Sequence, residues 1–461
     1  MTTPVRPPKK LTARQAAFIV LLQAEREAAY VNLALKKLLD SCEISPADAR
    51  LATQIVYGAA RLRNALDHMI ARLLSRPEAK LMTEARIILR LSLYQLHYLS
   101  KAEPYAVTDE AVRLAKKYAN APISRLVNAV LRNYLRLEDK QGLLPGPEQG
   151  FDYLHLTLSY PKWLADYFCR EFGMEETARL CLALNENPGL FLRTNSFKLR
   201  REELQAALHQ VGVESAPAGF SYETLQVLHG AGRLPASPAF RNGACIIQGP
   251  ASQLAAHALS PASGSRVLDL CAAPGGKTTH LAAMMNDQGQ VHAFDLHEHK
   301  LRLIEQNASR LGLSCITARQ ADAAQLPASY QQWADYILLD APCSGLGVLN
   351  SRPDSRYHKQ RDHIDKLAAL SYQLLSAAAG YLRPGGSLLY STCTLTHEEN
   401  QDNVARFLAQ RPDFSLQPMS RLAPLLHRPQ DAAAALSGQL QLLPHIHGTE
   451  GFYLALLRKN D

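Results

Sequence analysis

The chain has 461 residues, enough for two to four domains that each bury a core, with 47% hydrophobic and 20% charged side chains. That composition excludes a small stapled peptide, long disorder and collagen-like repeats, and no apolar run nears the ~18 residues that cross a bilayer. The net charge of +8 is uneven, because residues 1–142 carry 23 basic and 13 acidic side chains and the remainder 27 and 29, so a polyanion is expected on the first part.

Residues Met1 to Thr12 carry Pro and Lys with no signal-type cleavage site after them, which predicts a cytoplasmic protein without membrane association. The next ~130 residues read as helices. Apolar side chains recur at three- and four-residue spacing in Ala16–Ala29, Ala52–Leu74, Ala85–Leu99, Val107–Tyr118 and Ile123–Leu137, and Ser45-Pro46 opens a helix. An all-α bundle over 1–142 follows. The Gly- and Pro-rich stretch Lys140–Gly150 reads as a linker, taken as 143–160. A mixed α+β module is expected over 161–245, with helices at Trp163–Glu171 and Glu202–Val211 and an extended piece at Gly189–Thr194.

Over 246–461, short apolar runs alternate with amphipathic segments. Arg266–Leu270, Val291–Asp295, Ala334–Asp340 and Ser387–Ser391 read as buried strands of a doubly wound parallel sheet, closed by a hairpin of Gln439–Leu443 and Phe452–Arg458.

The first strand runs into Cys271-Ala272-Ala273-Pro274-Gly275-Gly276-Lys277, a turn of small residues that lets a ligand approach the backbone. Asp295 ends the next strand, where such folds set a carboxylate against ribose hydroxyls; Asp322 follows the third strand and Asp340 closes the fourth. An adenosine-containing ligand is indicated. A phosphate-binding loop fits poorly, since Cys271 stands where its first glycine belongs and Pro274 lacks an N–H. S-adenosylmethionine, without phosphates, fits best, with a phosphate ligand and a purely structural turn as the competing readings.

Two thiols are expected at the same rim, Cys343 after the fourth strand and Cys393 after the fifth. A thiolate that attacks C6 of cytosine turns C5 into an enamine-like nucleophile, and a base must later remove the C5 proton. Lys277 or local dipoles are candidates for lowering the pKa of Cys393. The other cysteines lie far apart with no C-x-x-C pair, and His297, His299, His445 and His447 lack ligand partners at metal spacing, so reduced thiols and no metal are expected.

The segments DLCAAPGGKT, DAPCSG and STCT, in this order, with QGPASQLA at Gln248–Ala255, Leu192-Arg193-Thr194-Asn195 and GTEGFYLALLRK at Gly448–Lys459, resemble the RNA cytosine-C5 methyltransferase family. The bundle, with Arg125-Leu126-Val127-Asn128 and the residues after it, is similar to the NusB-type RNA-binding fold, as in the small-subunit (16S) ribosomal RNA methyltransferase B (Sun/Fmu) group. The resemblance implies a Rossmann-like class I methyltransferase domain that forms 5-methylcytosine in 16S rRNA or a small-subunit assembly intermediate. It implies S-adenosylmethionine held by Cys271 to Lys277, Asp295, Asp322 and Asp340. Cys393 would be the nucleophile, Cys343 would assist product release, and Asp340 would also contact the cytosine. A P-loop-like NTPase and a non-catalytic RNA-binding assembly factor are the alternatives.

For RNA contacts the candidates are Arg193 and Asn195 in the middle module and Lys116, Lys117, Arg125 and Arg132 on the bundle, with Arg61 and Arg63 beside them. A monomer is expected. Two positions depart from the family pattern: Gly249 stands where an acidic residue usually follows the glutamine, and Glu450 where Asp is usual.

Overall fold

The computed structural model describes residues 10–76 and 80–461, so residues 1–9 of the charged N-terminal segment lie outside the described residues. The described residues divide into two compact units, the first ending at 186 and including 349–360, the second 187–348 with 361–461.

The first unit begins with seven helices, Ala13–Glu27, Val31–Ser41, Pro46–Arg61, Arg63–Leu73, Thr83–Tyr98, Pro104–Tyr118 and Ala121–Arg136. Their apolar faces share one core, with Phe18, Ile55, Leu66, Leu89 and Leu131 fully enclosed. Capping follows local chemistry, as Thr12 and Gln15 form a reciprocal capping box and Ser45 accepts from Asp48 N–H ahead of Pro46. The single helix expected over Ala52–Leu74 is broken at Leu62, whose φ of −100° and ψ of 30° leave the helical region. The stretch taken as a linker carries short helical turns and buries Leu143, Leu154, Leu158 and Tyr160, because its apolar side chains outweigh its turn-forming ones. Helices Lys162–Phe172 and Met174–Ala183 complete the chain-order part.

Residues 349–360 return to this unit. Asp354 Oδ2 accepts from Val31 N–H at 2.8 Å, and the Arg356 guanidinium sits 4.1 Å from the Tyr160 ring and donates to Asn185 Oδ1 at 2.9 Å.

The second unit holds two sheets. Strands β1 (Leu190–Thr194), β2 (Glu214–Pro217), β3 (Thr224–His229) and β4 (Cys245–Ile247) form an antiparallel sheet in the order β2-β3-β1-β4. The larger sheet contains β5 (Arg266–Asp269), β6 (Gln290–Asp295), β7 (Ile316–Gln320), β8 (Ala334–Asp340), β9 (Leu382–Thr392), β10 (Phe414–Leu416), β11 (Gln439–Leu442) and β12 (Phe452–Lys459). It runs β10-β12-β9-β8-β5-β6-β7, with β11 also on β12. Strands β9, β8, β5, β6 and β7 are parallel, and β10, β11 and β12 are antiparallel additions.

Alternation sets the two faces of this sheet. Val267, Leu338, Leu389 and Leu454 enter one core with the helices Pro250–Leu259 and Gly276–Met284, whereas Leu268, Leu339, Tyr390 and Ala455 enter the other with Arg361–Tyr381 and Gln401–Gln410. Chain order reverses beside β5, so the carboxyl ends of β5, β6, β8 and β9 share one crevice. Among the described residues no helix is long and apolar enough to cross a membrane.

The two departures from the family pattern belong together. A Cβ on Gly249 would lie 1.3 Å from Glu450 Oε1, while Glu450 Oε2 accepts from Ala251 N–H at 3.3 Å and from Thr449 Oγ1 at 2.7 Å. Glu450 thus sets a carboxylate at the N-terminus of helix Pro250–Leu259, in the space a side chain at position 249 would need. Gly249→Ala should cost about 1 kcal/mol in the natural background and close to nothing beside Glu450→Ala, a coupling that denaturant melts of the double-mutant cycle measure.

Candidate active site

Strand β5 delivers the chain into the small-residue turn at the crevice. Ala272 N–H donates to Phe294 O at 2.8 Å, tying the turn to β6, and Asn307 Nδ2 donates to Pro274 O at 2.9 Å. Gly275 has φ of +94°, and a Cβ there would stand 3.1 Å from Ile304 Cα, so conformation and space both require glycine. The helix Gly276–Met284 starts directly after it.

Acidic side chains ring the turn. Asp295, at the end of β6, is buried and accepts from His297 N–H at 3.1 Å, with Lys300 Nζ 3.5 Å away. Asp322 is exposed beyond β7 and accepts from Ala324 N–H at 2.9 Å. Asp269, which the sequence reading did not single out, is 1% exposed and accepts from Thr278 Oγ1 at 2.7 Å, while its Oδ1 has no hydrogen-bond partner among the described residues. Burial, and next the charge of Asp340, push its carboxyl up to about 7 against the hydrogen bond from Thr278. Burial and the neighbouring carboxylates of Asp269, Asp340 and Asp295 likewise push the Cys271 thiol up.

Asp340 joins this rim to the thiols. Its Oδ2 accepts from Lys277 Nζ at 2.6 Å and its Oδ1 from Ser391 Oγ at 2.8 Å, a bridge set by the parallel register in which Asp340 faces Ser391. Lys277 Nζ also stands 5.0 Å from the Phe452 ring. Burial alone would lower this ammonium, but the charges of Asp340, Cys393 and Asp269 hold it above its ordinary value.

Cys343 and Cys393, each partly exposed, meet with sulfurs 3.4 Å apart. The thiol of Cys343 is held well above its ordinary range by the hydrogen bond to Cys393, by burial, and by the charges of Cys393, Glu399 and Asp340.

Glu399 fixes the loop that carries Cys343. Fully buried, it accepts from Ser344 N–H at 2.6 Å, from Ser344 Oγ at 2.5 Å and from Thr396 Oγ1 at 2.6 Å, while Ser344 Oγ also meets Thr394 Oγ1 at 2.6 Å. These contacts clamp the residues after Cys343 to those after Cys393. Nothing in the local sequence marks Glu399, since its partners come from another loop.

The two middle-module RNA candidates lie elsewhere. Arg193, 1% exposed, donates Nη1 to Gln248 Oε1 and Gly276 O, both at 2.6 Å, and Nη2 to Thr279 Oγ1 at 3.0 Å. Burial pushes the guanidinium down to about 9, and it ties β1 to the helix that follows the turn. Asn195, 2% exposed, donates to Gly243 O and Leu311 O at 2.9 Å each. Both are structural tethers and not RNA contacts, because their donors are spent inside the unit.

Lys116, Lys117, Arg125 and Arg132 are exposed on the bundle. Arg61 and Arg63 are not part of that surface: Arg61 donates to Asn350 O at 3.0 Å, and Arg63 lies 3.3 Å from Glu25 and 5.3 Å from the Tyr357 ring.

A parallel sheet with a small-residue first turn and an acidic rim is the arrangement of Rossmann-like methyltransferases. Residues 256–458 match the 16S rRNA methyltransferase RsmB/F family, residues 11–136 the NusB family, and residues 160–231 the ferredoxin-like domain of RsmF/B-like methyltransferases. A Bacillus subtilis (strain 168) protein named Probable ribosomal RNA small subunit methyltransferase B is 36% identical over 98% of this chain and 99% of its own length. The Ribosomal RNA small subunit methyltransferase B of Pseudomonas syringae pv. tomato is 34% identical over 97% of both. The crystal structure of PH0851 superposes with a TM-score of 0.79 at 27% identity, over 99% of this chain and 100% of that one. NSun6 from Pyrococcus horikoshii, solved with SFG, gives 0.58 at 27% identity over 66% of this chain and 99% of its own. The chain belongs to the ribosomal RNA small subunit methyltransferase B family.

Arg193→Met leaves the buried Gln248 Oε1 without its donor and removes one of the donors to Gly276 O, and should lower stability by on the order of 3 kcal/mol in denaturant melts. A variant as stable as the natural protein but weaker on RNA would restore the surface role.

Proposed function

We propose that this protein transfers a methyl group from S-adenosylmethionine to C5 of a cytosine in 16S rRNA, or in a small-subunit assembly intermediate, in the bacterial cytoplasm. The observation that carries the reading is the pair of thiols 3.4 Å apart beside the Lys277–Asp340 ion pair at the carboxyl edge of the sheet.

The crevice suits this cofactor. Asp269 Oδ1 is a buried acceptor without a hydrogen-bond partner among the described residues, and Asp295, Asp322 and Asp340 add further acceptors, a donor-poor rim that repels phosphates and favours hydroxyls, an ammonium and a sulfonium. Residues 271–277 and these carboxylates would hold it. When bound it supplies the electrophilic methyl group. NSun6 from Pyrococcus horikoshii, solved with SFG, an S-adenosylmethionine analogue, supports the same choice.

Cys393 is the nucleophile. The attraction between the Lys277 ammonium and a negative Cys393 is reciprocal, so the ion pair that fixes Lys277 also favours the thiolate. Its sulfur bonds to C6, the ring electrons shift to C5, and C5 takes the methyl. The C5 proton then leaves to a base, and the C6–S bond breaks to return the Cys393 thiolate. Because the base has to act after the sulfur is bonded, timing matters.

Coupling between the thiols provides that timing. While Cys393 is free, its hydrogen bond and charge hold the proton on Cys343; once Cys393 is a thioether both influences vanish. Cys343 then gives its proton to solvent and takes the C5 proton as Cys393 leaves. The net products are a 5-methylcytosine, the cofactor's thioether and one released proton.

Cys393→Ala should abolish transfer with cofactor binding intact, while Cys343→Ala should accumulate an RNA-protein adduct on denaturing gels. No adduct in Cys343→Ala, or one that persists in the double variant, would contradict this assignment. The exposed cations of the bundle are read as phosphate contacts. Neutralising Lys116, Lys117, Arg125 and Arg132 together should weaken RNA binding and reduce the slope of log K against log salt by up to about one per lost contact, measured by salt titration. An unchanged slope would place the RNA on another face.

A further inference from the structure

On the helix Gly276–Met284 and the elements packed against it, three side chains from separate elements converge. Glu223 precedes β3, His257 lies on the helix Pro250–Leu259, and His280 lies on the helix Gly276–Met284. One potential ligand atom from each falls within 4.8 Å of the other two.

Polar contacts leave His280 in this cluster unexplained. His280 is 1% exposed, and neither ring nitrogen has a hydrogen-bond partner among the described residues. His257 Nε2 and Glu223 Oε2 face each other as an ion pair at 3.3 Å, and neither atom has a further hydrogen-bond partner among the described residues. The imidazole rings meet edge to face at 5.2 Å and 85°. Arg193, the nearby cation, directs its donors to Gln248, Gly276 and Thr279 and not to Glu223. A buried imidazole with both nitrogens idle is costly, and a cation bound to the lone pair of one nitrogen offsets part of that cost.

We propose that Glu223, His257 and His280 bind a divalent transition-metal ion of zinc's class. Two imidazole nitrogens and one carboxylate oxygen are a donor set that suits this class over calcium or magnesium. The fourth position is left to water. The ion has a structural part: it links the small sheet and the helix Pro250–Leu259 to the helix that carries the end of the cofactor turn.

The test uses the full-length protein stripped by a chelator and titrated with Zn²⁺ and with Co²⁺. Wild type should take up one equivalent, show cobalt d–d bands without the intense thiolate charge-transfer band, and gain thermal stability with Zn²⁺. His257→Ala and Glu223→Gln should each weaken uptake about tenfold or more. Glu223→Gln keeps the size of the side chain, so it carries the test alone if His257→Ala does not fold. No uptake by wild type, a thiolate band, or unchanged uptake by a folded Glu223→Gln would overturn the proposal.

Discussion

The Asp340 carboxylate is the interaction on which the site depends. It ends a parallel strand, receives the Lys277 ammonium on one oxygen and the Ser391 hydroxyl on the other, and so binds three segments that are remote in sequence. An enclosed ammonium needs a counter-charge, and a carboxylate at the end of β8 needs donors. Each satisfies the other, at a place fixed by the register of β8 and β9. Lys277 is thereby kept where its charge acts on Cys393, and the loops carrying the two thiols are anchored at their strand ends.

Support for this bridge comes from behind it. Glu399 locks the loop after Cys343 to the loop after Cys393, and Arg193 holds the start of the cofactor helix to the small sheet. Neither side chain meets the crevice as a ligand would. The two thiols can therefore sit 3.4 Å apart in loops and still be positioned as if on a rigid element.

Much of this was legible in the amino-acid sequence. Buried parallel strands are short apolar runs, so β5, β6, β8 and β9 stood out, and the residues that follow each of them are the ones that line the rim. The small-residue turn announced itself because only small residues allow that path. Arg193 and Asn195 were misread, since a basic or amide side chain beside a strand serves a tether as well as a nucleic acid, and burial alone decides between them. Glu399, the grouping of Glu223 with His257 and His280, and the return of residues 349–360 to the first unit had no local signal. Each depends on chain segments that only folding brings together. Gly249 and Glu450 read as two separate departures in sequence, and in the fold the longer side chain fills the space beside the glycine.

The central claim is that the Lys277–Asp340 pair makes Cys393 the ionised thiol and leaves Cys343 protonated. Alkylation of the native protein by iodoacetamide at neutral pH, followed over time by peptide mass spectrometry, compares the two sulfurs directly. The account predicts that Cys393 is modified first and that Lys277→Met removes its lead. Faster labelling of Cys343, or a lead for Cys393 that survives the loss of Lys277, would contradict it.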